Sequence, residues 1–233
     1  MFPLGVEKDD YWQAGAEGPR ILIHELGHAL GLKHPFEDSP QLPAGTDTQQ
    51  YSVMSYTANP HDIFVQYTAG YSGYSYLWNA YQVFSDTPML YDIAAIQYLY
   101  GANLSYKSGD DVYTFDPAKP FFRTLWDAAG NDTISVANYS RGCAIDLRPG
   151  HYSKISILSQ APAGVDWTQP PPAATYDGTD ALAIAFGCDI ENATGGGGAD
   201  TLTGNALKNL LQGGAGDDTL SSGAGDDTLT GGA

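Results

Sequence analysis

From Gly195 to Thr230 the chain reads GGGGADTLT, GNALKNLLQ, GGAGDDTLS and SGAGDDTLT, four nonapeptides in succession. A fifth begins at Gly231 and breaks off at Ala233. The shared pattern is G-G-x-G-x-D-x-L-x, and its parts have separate physical tasks. Glycines allow a tight turn with exposed carbonyl oxygens. The aspartate supplies a carboxylate, and the leucine after it points into a narrow core. Hard oxygen donors of this kind favour calcium.

Repeats of this kind resemble those of a parallel β-roll, in which two nonapeptides make one coil, and the resemblance implies ions between repeats n and n+2. On that reading the first and third repeats pair and offer Gly196, Gly198 and Asp200 with Gly213, Ala215 and Asp218 as the best calcium site of the roll. The second repeat has lost the glycine pattern and carries Asn209 where aspartate belongs. Its pairing with the fourth repeat, through Asp227, should bind calcium weakly or not at all. A disordered Gly-rich linker is the alternative, and the strict nine-residue spacing of Asp and Leu speaks against it.

Upstream of the repeats lie short β-like runs, Asp111–Phe115, Asp132–Val136 and Ala181–Phe186, separated by Gly, Asn, Asp and Pro clusters. This texture begins near Gly101, where we place a boundary. Before it, residues 19–33 read as a helix: Pro19 suits the first turn, Ile21, Leu22, Leu26, Ala29 and Leu30 recur at helical spacing, and Gly31 is the stop. A second helix is expected over 88–100, ended by Gly101. The stretch between the helices, with five tyrosines from Tyr67 to Tyr81, reads as irregular.

The first helix carries His24-Glu25-Leu26-Gly27-His28, and His34 follows six residues on. One helical turn separates His24 from His28, so both imidazoles leave the same face and can grip one metal. Glu25 lies beside the open position and can take a proton from an attacking water. Gly31 can adopt a left-handed conformation and bring His34 back to the same ion. Three neutral histidines plus an open position suit catalytic zinc. Average residue usage gives this extended pattern by accident in on the order of 10⁻⁵ of chains of this size, so the histidines are read as a metal site and not as three structural ones.

The run HELGHALGLKHP, with Pro35 after the third histidine, resembles the serralysin branch of the metzincin zinc proteases. Ser52-Val53-Met54-Ser55-Tyr56 is similar to their methionine turn. The resemblance implies that Met54 floors the metal and that Tyr56 is a zinc ligand able to swing away and hydrogen-bond the tetrahedral intermediate. Asp92 to Asn103 looks like the helix that closes the catalytic domain; Asp92 could cap or pair there and is given no catalytic role. Trp126-Asp127-Ala128-Ala129-Gly130-Asn131-Asp132-Thr133 resembles the family's W-D-A-G-G-N-D-T run. It implies calcium ligands at Asp127, Ala129, Gly130 and Asp132, with backbone oxygens from Lys107, Gly109 and Asp111, and a second ion shared by Asp132, Asp189 and Glu191. Asp189 stands where the family places a threonine; two other departures, Ala129 for glycine and Lys107 for arginine, matter little where carbonyls are the ligands.

The implied fold is α+β: a partial metzincin catalytic domain over 1–101, a β-rich region over 102–190 and a truncated calcium-binding β-roll over 191–233. The resemblance further implies a secreted endopeptidase acting on protein or peptide substrates, with a proteinaceous inhibitor as another partner. Serralysin-like proteins are longer at both ends, so we expect a piece of a longer protein, lacking an upstream sheet and a C-terminal export signal. A calcium-binding surface or adhesion module with a vestigial centre is the competing function.

Composition agrees with export. The net charge is −17 with only 10 Lys+Arg, which argues against nucleic acid or anionic membrane as partner. No stretch approaches the length and apolarity of a membrane span. Cys143 and Cys188 are too far apart to read as a metal motif. One disulfide and two buried thiols both remain open.

Overall fold

The computed structural model describes residues 11–70 and 76–232 of the 233-residue chain. Tyr71 and Tyr74 of the tyrosine-rich stretch, and Ala233, lie outside the described residues. The architecture is mostly β. Helix α1 spans Glu17–Ala29 and α2 spans Leu90–Tyr100, with the hairpin β1 (Ile63–Ala69) and β2 (Tyr76–Gln82) between them. The remaining strands, mostly three residues long, follow Gly101: β3 (Val112–Thr114), β4 (Arg123–Leu125), β5 (Thr133–Ser135), β6 (Ala144–Asp146), β7 (Tyr152–Ser153), β8 (Leu182–Ile184), β9 (Asn192–Thr194), β10 (Thr201–Thr203), β11 (Leu210–Gln212), β12 (Thr219–Ser221) and β13 (Thr228–Thr230).

The nonapeptides coil as their period requires. Strand β10 pairs in parallel with β12, Thr201 opposite Thr219, and β11 pairs with β13, Leu210 opposite Thr228. Successive repeats thus alternate between two facing sheets, and stacked neighbours are eighteen residues apart. One sheet runs β13-β11-β9-β5-β3 and the other β12-β10-β6. The first of these reaches back to Val112, so the repeats and the β-rich region before them share one parallel ladder. Central residues of neighbouring strands stack inward: Tyr113, Ile134, Ala193, Leu211 and Leu229 on one sheet, Ile145, Leu202 and Leu220 on the other. Ile134, Ala193, Leu202 and Leu211 are fully buried, whereas Leu229 at the open end of the stack is half exposed. Each fully buried Leu or Ile contributes about 1.5–3 kcal/mol relative to exposure.

The stretch expected to be irregular is instead an antiparallel hairpin, Ile63 opposite Gln82 through Ala69 opposite Tyr76. Its backbone is tied down by distant residues. Ile63 N–H donates to Thr175 Oγ1 and Val65 N–H to Ser159 Oγ, both at 2.9 Å. Such partners, about a hundred residues away, leave no local signal.

Helix α1 begins two residues before the expected start and ends four earlier than expected. Its end is a complete Schellman turn: Leu32 N–H donates to Gly27 O at 2.9 Å, Gly31 N–H to His28 O at 3.0 Å, and Gly31 has φ 92°. This reversal redirects the chain toward the helix face that bears His24 and His28.

Candidate metal centres

The histidine centre assembles at that reversal. His28 Nε2 lies 3.1 Å from His34 Nε2, and His34 Nε2 lies 3.3 Å from His24 Nε2. The other ring nitrogens fix the tautomers. His24 Nδ1 is 2.9 Å from the Val53 carbonyl and His28 Nδ1 is 3.0 Å from the Leu32 carbonyl. Carbonyls only accept, so both Nδ1 atoms carry the proton. His34 Nδ1 lies 2.9 Å from the Glu37 carboxylate, and this contact holds the Glu37 carboxyl below its ordinary range. The Nε2 atoms of His24 and His28 therefore both present lone pairs toward His34 Nε2, an arrangement that a cation among the three satisfies. A tetrahedral ion with bonds of about 2.0–2.1 Å spaces its donors about 3.3–3.4 Å apart. The observed separations fit a zinc-sized ion.

Met54 lies directly under this helix: a Cβ on Gly27 would fall 2.6 Å from Met54 Sδ. Tyr56 lies beside two of the histidines, its ring centroid 4.5 Å from that of His34 and 5.9 Å from that of His24. Glu25 and Tyr56 are both exposed.

Ser52, Val53, Met54 and Ser55 are buried, and Asp92 of α2 is buried against them. Asp92 accepts Ser52 Oγ–H on Oδ1 (2.6 Å), and Val53 N–H and Met89 N–H on Oδ2 (both 2.8 Å). Burial pushes this carboxyl up while the three donors pull it down. Its place in the first turn of α2 gave a capping signal; its bond to a turn 40 residues earlier gave none.

The second centre gathers Asp111, Asp127 and Asp132, whose oxygens lie within 4.8 Å of one another. Asp132 Oδ1 accepts the Asp111 amide at 2.7 Å, while the buried Oδ2 has no hydrogen-bond partner. Burial, then the neighbouring Asp127, Glu191 and Asp111 carboxylates, push Asp132 up to about 6. Around this triad Lys107 Nζ contacts Asp111 Oδ1 at 2.7 Å, and the Lys107 carbonyl accepts the Ala128 amide at 3.3 Å. Ala129 N–H donates to Asp127 Oδ1 at 3.1 Å. Gly130, at φ 150°, has no room for a side chain: a Cβ would fall 2.4 Å from Gly109 O. Glu191 Oε2 accepts the Asp132 amide at 2.7 Å. Asp189 is exposed and stands outside the triad.

In the roll, Ala215 N–H donates to Gly196 O at 2.8 Å and Asp200 N–H to Asp218 Oδ1 at 2.9 Å. Asp200 Oδ2 accepts Gly196 N–H at 2.6 Å. Gly198 faces Arg141 and Gly142, and Gly213 abuts Asp218 Oδ2, which is buried without a partner. Orphaned carboxylate oxygens at Asp132 and Asp218 suit a hard cation. The second repeat repeats the frame with other chemistry. Asn205 N–H donates to Asn209 Oδ1 and Asn209 N–H to Asp227 Oδ1, both at 2.9 Å. Asn209 Nδ2, however, donates to Glu191 O (2.8 Å) and Asn205 Oδ1 (2.9 Å). Cys143 and Cys188 are free, buried thiols.

Stacked nonapeptide coils with oxygen-lined turns define a β-roll protein of the calcium-repeat class, and residues 190–206 and 203–233 match the RTX calcium-binding nonapeptide repeat. The chain is similar to serralysin of Proteus mirabilis, 32% identical over 220 residues, covering 83% of this chain and 38% of that protein. It is similar to serralysin C of Dickeya chrysanthemi (37% identical, 79% and 36% covered) and to metalloprotease AprA of Pseudomonas entomophila (34%, 81% and 37%). The chain is a serralysin homologue bearing RTX repeats, and it spans less than two fifths of the length of these curated relatives. Among the described residues no helix is long and apolar enough to cross a membrane.

Proposed function

We propose that the chain carries the catalytic centre of a secreted zinc endopeptidase, within a partial metzincin domain over 1–101, joined to calcium-stabilised β structure over 102–233. The observation that carries this reading is the convergence of three Nε2 atoms, with His24 and His28 already holding their protons on Nδ1. His24, His28 and His34 would hold the ion, with Tyr56 as a further ligand. When bound, zinc supplies Lewis acidity at the open position. Glu25 takes a proton from the attacking water and returns it to the leaving amine. The Tyr56 phenol donates to the oxyanion that develops on the substrate. Met54 keeps the underside of the helix dry and fixed. Calcium is assigned to Lys107, Gly109, Asp111, Asp127, Ala129, Gly130 and Asp132, to Glu191 with Asp189, and to the roll site between Asp200 and Asp218. Only the folded form brings these donors together, which makes calcium a folding ligand, and weak extracellular sites are filled at the calcium levels outside cells.

Glu25→Gln should leave zinc content at one per chain and lower casein cleavage at least about 10²-fold. Undiminished cleavage sinks the role of Glu25, and absence of stoichiometric zinc in the unmutated protein sinks the centre. A second reading, a calcium-binding surface module with an inactive centre, draws on one feature: Leu22 and Leu26 of α1 and Leu30 just after it stand 42–52% exposed. Zinc bound without cleavage of casein favours that reading.

A further inference from the structure

We infer that Asp92 is a positioning residue for the zinc centre, acting on His24 through Ser52 and the Val53–Met54 peptide. The inference rests on the zinc reading above and adds a residue that neither the motif nor the methionine turn includes. The path is continuous. His24 Nδ1–H donates to the Val53 carbonyl at 2.9 Å. The N–H of that same peptide unit, on Met54, donates to Ser52 Oγ at 3.1 Å. Ser52 Oγ–H then donates to Asp92 Oδ1 at 2.6 Å. Every donor in the chain points toward the carboxylate, and every link is buried. The Val53 N–H, bonded to Asp92 Oδ2 at 2.8 Å, holds the same turn from its other side.

Metal-ligating histidines are commonly oriented by a carboxylate on the opposite ring nitrogen, which also raises the basicity of the ligand nitrogen. Here the carboxylate is buried too far away to touch His24, and a hydroxyl and a peptide carry its influence. Aligned hydrogen bonds polarise one another, more so where water is excluded. The other two histidines lack this connection: His28 ends on the Leu32 carbonyl and His34 on the exposed Glu37. Asp92 therefore sets the ring plane and donor strength of one ligand out of three.

The test is zinc affinity of the full chain, read by competition with a chromogenic chelator, for the unmutated protein, Asp92→Asn, Ser52→Ala and the double variant. Asp92→Asn should weaken zinc binding on the order of 10- to 100-fold. Ser52→Ala leaves the carboxylate in place to cap α2 and should weaken binding in the same direction. The double variant should lose less than the product of the single losses, because both cut one path. In the metal-free chain, the His24 Nδ1 proton resonance should shift in both variants while that of His28 stays. Affinities within two-fold of the unmutated chain, or equal shifts at His24 and His28, overturn the inference. Should Asp92→Asn fail to fold, Ser52→Ala decides alone. An unmutated chain that binds no zinc refutes the zinc reading, and the proton resonances then still decide whether the path reaches His24.

Discussion

Asp177 shows how a single charge can be placed by the fold. Burial raises its carboxyl, but the Lys154 ammonium and Thr179 outweigh burial and hold it down to about 2. In an unfolded chain an aspartate titrates near about 3.9. The folded value is depressed, so the stabilisation is present above about pH 3.9 and is lost as pH falls toward about 2. Asp177→Asn should therefore melt below the unmutated chain at pH 5, and the gap should close between pH 4 and pH 2; a gap independent of pH refutes the assignment. Both side chains are partly exposed, so the effect is small. The histidine centre differs in legibility. The grouping of His24, His28 and His34 was readable because helix periodicity and one glycine fix their relative places. Asp92 and Ser52 were not, because their link spans 40 residues and depends on α2 docking beneath the turn.

Among the elements, the strands of the roll are individually too short to persist, and each is held by its neighbours above and below. The turns between them must then satisfy buried oxygens either with a cation or with donors of the protein's own. The Asp200 turn leaves the partner oxygen Asp218 Oδ2 unpaired, whereas the Asn209 turn supplies its own amide. Asn209→Asp removes that donor and creates a carboxylate in the frame occupied by Asp200. The variant should bind one more calcium per chain by calorimetric titration, and without calcium it should unfold more readily than the unmutated chain. Unchanged stoichiometry refutes the substitution of amide for ion. The loss of an aspartate here was visible in the sequence; that the Asn209 amide donates to Glu191 O and Asn205 Oδ1 was not. The β1–β2 hairpin marks the opposite limit, since its alternation is weak and its anchors Ser159 and Thr175 lie far along the chain.

Across the whole molecule the two kinds of site share one core. Val53 and Met54 belong to the same buried cluster as Ile134, Leu202 and Leu211. Tyr152 O–H donates to Gln50 O at 3.0 Å and Gln50 Nε2 to Asp180 Oδ2 at 2.9 Å, so the segment leading into the buried Ser52–Ser55 turn is held by the β-rich region. Arg123 forks onto Asp86, and Tyr91 stacks on Phe186. Chelating calcium should therefore lower the melting temperature of the entire chain in one transition, by roughly 5–11 °C per site saturated at 100 times its Kd, from about 2.7 kcal/mol at about 2–4 °C per kcal/mol. Scanning calorimetry with and without chelator checks this, and a separate transition indifferent to calcium overturns it. The sequence by itself determined the coil period, the oxygen-rich make-up of the turns and the grouping of the three histidines. Those depend on spacing between near neighbours, which the chain writes directly. The tertiary structure alone decided the continuous ladder from Val112 to Thr230, the hairpin and the buried path from Asp92 to His24. Each joins residues whose separation along the chain carries no periodic signal, and only packing into a common core brings them within hydrogen-bonding distance.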